Sequence, residues 1–105
     1  MIRFAHICTI ISALAAAPLA QAATMKVQID NYAFAPASIS VHPGDTVIWT
    51  NHDSVPHTVT SIGAGGLDSG TLDPDGSFRF TFRKAGAYNY HCAIHPEMRA
   101  MVRVR

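Results

Sequence analysis

Ser77-Phe78-Arg79-Phe80-Thr81-Phe82-Arg83 is the stretch that decides the fold. Three phenylalanines alternate with four polar or charged residues, and a β-strand is the element that puts residues i, i+2 and i+4 on one face. The period predicts one face in a core and the other in water. Upstream, Asp73-Pro74-Asp75-Gly76 is a turn signal, and five glycines between Ile62 and Ser77 mark the longest loop region. Before that loop, Thr46 to Asn51 sets Val47 and Trp49 against Ile48 and Thr50, as in a strand buried on both faces at its centre. His57 to Ser61 reads as a further short strand. Pro43-Gly44-Asp45 turns the chain out of Ser38 to His42, and Met25 to Asp30 places Val27 and Ile29 on one face. Downstream, Ala85-Gly86 turns into Ala87 to Cys92, and Ala100 to Arg105 closes with Val102 and Val104 facing in. No segment carries helical periodicity over a useful length. Short strands at this spacing predict an all-β domain: a small Greek-key β-sandwich of about seven to eight strands, paired antiparallel.

The beginning of the 105-residue chain has a different character. Arg3 gives a short basic start, Ile7 to Leu19 is almost wholly apolar, and Ala20-Gln21-Ala22 is an A-x-A cleavage signal. Residues 1–22 therefore read as a secretory signal peptide, and residues 23–105 as one domain exported to the periplasm. The apolar run is short and interrupted by Pro18, so no membrane span is expected in the mature form. Without Arg3, seven Lys and Arg face seven Asp and Glu, a formal charge of zero. A neutral domain without a basic cluster is a poor partner for nucleic acid. Cys8 leaves with the leader, which makes Cys92 the sole thiol and rules out an intramolecular disulfide. A lone thiol in an oxidising compartment is expected to pair between chains, act as a nucleophile or bind a metal.

The chemistry-bearing segment is Tyr90-His91-Cys92-Ala93-Ile94-His95-Pro96-Glu97-Met98, with His57 upstream in Val55-Pro56-His57-Thr58. Taken singly, Cys92 reads as a small core hydrophobe and Met98 as core filler. Together, one thiolate, two imidazoles and a thioether are the donor set of a mononuclear copper electron-transfer site. Cys92, His95 and Met98 share one loop between two strands, whereas His57 has to arrive from another strand. His42, His52 and His91 fall outside the pattern, and Met25 and Met101 are assigned to packing. A hydrolase with Cys92 as nucleophile and His95 or His57 as base leaves Met98 without a task and lacks an evident oxyanion device. A structural zinc site is disfavoured because a thioether is a poor zinc ligand.

From Asn31 to Val104 the sequence resembles the cupredoxins, or type 1 blue copper proteins, and most of all their amicyanin branch. The resemblance is carried by Pro43 through Asn51, Val55-Pro56-His57, Ser77 through Phe82, Ala85-Gly86-Ala87-Tyr88, and Tyr90-His91-Cys92 through His95-Pro96-Glu97-Met98-Arg99. It implies one type 1 copper ion, with His57, Cys92 and His95 as equatorial ligands and Met98 as the axial one. It also implies that Asn51 ties the two ligand-bearing loops together. The function expected is single-electron carriage between a redox protein donor and acceptor, with no substrate transformed and hence no enzyme; copper delivery is the alternative. The protein is expected to be a monomer that docks transiently near His95, on Pro56, Ile94 and Pro96, with Glu97 and Arg99 flanking. Ala100 stands where the family commonly has Gly, so a positive φ there would be strained.

Overall fold

The computed structural model describes residues 21–105, and the expected leader therefore lies almost wholly outside the described residues. Eight strands follow in order: β1 (Thr24–Asp30), β2 (Ala33–Ala35), β3 (Ser38–Val41), β4 (Thr46–Asn51), β5 (Thr60–Ser61), β6 (Ser77–Thr81), β7 (Gly86–His91) and β8 (Arg99–Val104). They form two four-stranded sheets, ordered β2-β1-β4-β6 and β3-β8-β7-β5. The sandwich is the one expected, but its pairing is mixed. β1 runs parallel to β4, and β3 parallel to β8. After β2 the chain crosses to the other sheet as β3 before returning as β4, and such a crossover permits parallel neighbours.

The core lies between the sheets. Val27, Ile29, Phe34, Val47, Trp49 and Phe82 enter it from one side, and Ile39, Val41, Tyr90, Val102 and Val104 from the other. Trp49 meets Tyr90 edge-on with ring centroids 5.6 Å apart, and its Nε1–H donates to the Tyr90 hydroxyl at 3.1 Å. Both rings thus bury their apolar bodies and still satisfy their polar atoms. Burial pushes the Tyr90 phenol up to about 12, only partly opposed by the Trp49 bond, so Tyr90 stays neutral.

Several local expectations are corrected. Of the three alternating phenylalanines, Phe82 is fully buried, whereas Phe78 and Phe80 are half-buried because β6 is an edge strand. In β4 the inward face is Val47, Trp49 and Asn51, while Ile48 and Thr50 on the outer face are only partly covered. Met25 is 38% exposed instead of packed: it sits ahead of Val27 in β1, where the core no longer covers the strand. From His57 to Ser61 only Thr60–Ser61 joins a sheet; His57 itself makes an isolated bridge with Leu72. Ala100 lies in β8 and is not among the residues with positive φ.

Candidate metal centre

Cys92 is the first residue past β7, and β8 begins at Arg99, so the two strands hold both ends of the Cys92-to-Met98 loop. Inside the loop the Met98 N–H donates to the His95 carbonyl at 2.9 Å, and the Cys92 N–H to the Met98 carbonyl at 3.1 Å. Those two bonds fold the loop back on itself and bring Cys92 and Met98, both buried, to its base. His57 arrives from the segment after β4. Its N–H donates to the Leu72 carbonyl at 3.1 Å and its carbonyl accepts the Leu72 N–H at 2.7 Å. The result is one cluster: a donor atom each from His57, Cys92 and His95 lies within 4.8 Å of the others. Cys92 Sγ is 3.7 Å from His57 Nδ1 and 3.8 Å from His95 Nδ1. His57 is fully buried and His95 half-buried, so one imidazole faces the core and the other the surface.

Three neighbours that the sequence reading did not single out complete the surroundings. The first is Asp53, whose Oδ2 lies 2.7 Å from His57 Nε2. A carboxylate only accepts, so Nε2 carries the proton and the Nδ1 lone pair points toward Cys92 Sγ. Burial raises the Asp53 carboxyl, but the Tyr32 N–H, the His57 ring and the Asn31 N–H together hold it below its ordinary value. The second is Thr58. Its N–H donates to Cys92 Sγ at 3.3 Å, and its Oγ1 accepts the Ala93 N–H at 2.8 Å. A backbone N–H donated to the sulfur fixes the direction in which Cys92 presents it to a metal.

Thr58 is thus the tie between the two loops, a task the sequence reading gave to Asn51. Asn51 instead braces the His57 side alone. Its Nδ2 donates to the carbonyls of Val55 and Leu72, both at 2.9 Å, and its Oδ1 accepts the Asp53 N–H at 2.9 Å. The third neighbour is Tyr32, whose ring stands edge-on to His57 and His95 at 5.3 and 5.1 Å. Asn31 and Tyr32 form the two-residue turn between β1 and β2, both left-handed with φ of 50° and 57°. A two-residue hairpin demands that conformation, which tyrosine adopts only at a cost. The Asn31 and Tyr32 N–H groups both donate to the Asp53 carboxylate, at 2.6 and 2.9 Å, and hold the turn in place. The other histidines among the described residues stay apart: His42 and His52 are exposed, and His91, one residue out of phase with Cys92, is half-buried on the other face of β7.

The donor set is soft sulfur plus imidazole, with no carboxylate within the converging group, and this composition fits copper better than a hard cation. The sequence profile of the cupredoxin-like domain matches residues 2–104. The chain belongs to the cupredoxin family. Amicyanin of Paracoccus denitrificans is 35% identical to this cupredoxin over 95 residues, covering 87% of this chain and 72% of its own. The solved structure of a reduced amicyanin variant superposes with a TM-score of 0.74 at 34% identity, covering 86% of this chain and 89% of that one. A Cu-containing nitrite reductase from Thermus scotoductus SA-01 reaches the same TM-score at 29% identity. This cupredoxin covers only 22% of the reductase chain, so the likeness is to one domain of a longer protein.

Proposed function

We propose that this cupredoxin is a periplasmic carrier of single electrons, with one copper ion held by His57, Cys92, His95 and Met98. The observation that carries the proposal is the convergence of two imidazole Nδ1 atoms on a buried thiol that already accepts the Thr58 N–H. Bound copper would supply the Cu(II)/Cu(I) couple. The protein's part is to keep the donors in place across both oxidation states, and low reorganisation is what makes such a centre fast. Asp53 fixes the His57 tautomer, Thr58 orients the Cys92 sulfur, and the strand ends restrain the loop. Met98, buried beside Cys92 at the base of the loop, would offer its thioether as a weak further donor that tunes potential more than affinity.

Of the four residues His95 is the one nearest solvent; its chain neighbours Ile94 and Pro96 are exposed, Ile94 to 50%, and so is Pro56 next to His57. An apolar patch of this kind is an interaction surface. Electron-transfer partners typically bury less than about 1,200 Å² in total, which allows rapid release. Ile94→Lys should slow electron exchange with the native partner and leave the optical spectrum intact.

The deciding experiment is the visible spectrum of the copper-loaded protein, oxidised and then reduced. Oxidised protein should be intensely coloured through thiolate-to-copper charge transfer, bleach on reduction, and lose the band in Cys92→Ser. A band that survives Cys92→Ser would overturn the ligand assignment. In the same variants series, Met98→Gln should lower the potential and Met98→Leu raise it; equal potentials would make Met98 a packing residue.

A further inference from the structure

Just ahead of β4, at the end far from the metal centre, the Asp45 carboxylate meets the segment that leads into β1. Asp45 is 6% exposed and follows a tight turn in which its own N–H donates to the His42 carbonyl at 3.0 Å. Gly44 takes φ +98° at the third position of that turn, the conformation a type II turn requires there. The turn aims both carboxylate oxygens at backbone donors. Oδ2 accepts the His42 N–H at 2.8 Å, and Oδ1 accepts the Ala23 N–H at 2.8 Å. The Ala23 carbonyl in turn accepts the Thr46 N–H at 3.0 Å. Ala23 is therefore hydrogen-bonded through both its N–H and its carbonyl although, like Gln21 and Ala22 before it, it is exposed.

The nitrogen held by Asp45 belongs to the peptide bond that the Ala20-Gln21-Ala22 signal marks for cutting. We propose that Asp45 is the receptor for the α-ammonium of Ala23, created when a leader-removing endopeptidase hydrolyses the Ala22–Ala23 bond. The inference rests on the export reading. Hydrolysis consumes one water: the Ala22 carbonyl carbon takes the oxygen and departs as a carboxylate, and the Ala23 nitrogen becomes an amine, protonated at neutral pH. A neutral N–H facing a carboxylate is thereby replaced by a cation at the same place, and the hydrogen bond becomes charge-assisted on both sides. Among the described residues, the one basic side chain within 4 Å of the Asp45 carboxylate is the His42 ring, at 3.9 Å and 83% exposed. Processing would thus place a charge on a contact that already exists where β1 begins.

The test separates this chemistry from export. Two proteins are released from a fusion by a protease that leaves no added residue, one starting at Ala23 and one at Ala22. The Ala23 form should melt several degrees higher at low salt, and the gap should close when both carry Asp45→Asn. Equal melting temperatures, or a gap that persists in Asp45→Asn, would overturn the ion pair. If Asp45→Asn does not fold, nitrogen NMR of the wild-type Ala23 form gives the same answer. Its ammonium should titrate above the usual range of about 7.7–8.0, and a value inside that range refutes the proposal. The N-terminus of the exported protein, read by mass spectrometry, should be Ala23; any other start refutes the processing site even where the engineered pair shows the coupling.

Discussion

The two ends of β4 each carry an aspartate and a histidine close in sequence, and the two pairs do different things. Past the end of the strand, Asp53 accepts the N–H of Asn31 and Tyr32 and holds a fully enclosed His57 ring at 2.7 Å. Ahead of its start, Asp45 likewise accepts two backbone N–H groups, from Ala23 and His42, but the His42 ring is 3.9 Å away and lies in solvent. Both carboxylates are organised by the backbone. What separates them is whether the ring is enclosed, because an enclosed imidazole has to surrender its proton direction to its partner and an exposed one does not. A histidine beside an aspartate is thus no sign of a working site until its burial is known.

The largest difference between the two ends of β4 is expected at the rings. His57→Ala should abolish or reshape the charge-transfer band of the copper-loaded protein, and His42→Ala should leave it unchanged; a spectrum altered by both would mean the two ends are coupled. Next in size are the carboxylates. Asp53→Asn should lower copper affinity by about 10- to 100-fold, the usual effect of losing a ligand's outer hydrogen-bond partner. Asp45→Asn should leave affinity alone, and copper titration of both variants checks this.

A smaller effect is expected with pH. The N–H groups of His42 and Ala23 outweigh burial and hold the Asp45 carboxyl below its ordinary 3.8. Because the folded value is depressed, this stabilisation is fully present above about pH 4 and fades as the pH falls through the lowered value. The melting temperature of metal-free Asp45→Asn should therefore start lower than wild type at about pH 6, and the gap should narrow as the pH falls below the ordinary carboxylate range. Parallel curves would mean that Asp45 acts by shape alone. The smallest effect is at Tyr32. Tyr32→Phe should keep His57 Nε2–H protected from exchange with water, and Tyr32→Ala should speed that exchange, as read by proton NMR.

The sandwich was legible because period-two runs and turn signals are local. Phe78-Arg79-Phe80 announces a strand, and Pro43-Gly44-Asp45 a turn, without reference to anything distant. The parallel pairing of β1 with β4 was not legible, because it depends on a crossover through the other sheet. At the metal centre Cys92, His95 and Met98 share one loop and could be read as a group. Asp53 and Thr58 are each within four residues of His57, yet on an irregular segment that spacing fixes no distance. Tyr32 was further from view, since it reaches His57 and His95 only because a hairpin turns at Asn31.

The left-handed Tyr32 turn sets stability selection against the metal centre. A side chain at that φ costs about 1–2 kcal/mol relative to a relaxed backbone, and glycine at the second turn position removes the cost. A library screened for heat resistance of the metal-free protein should therefore converge on Tyr32→Gly. A Tyr32→Gly chain selected in this way would carry His57 and His95 without the ring that stands edge-on to both.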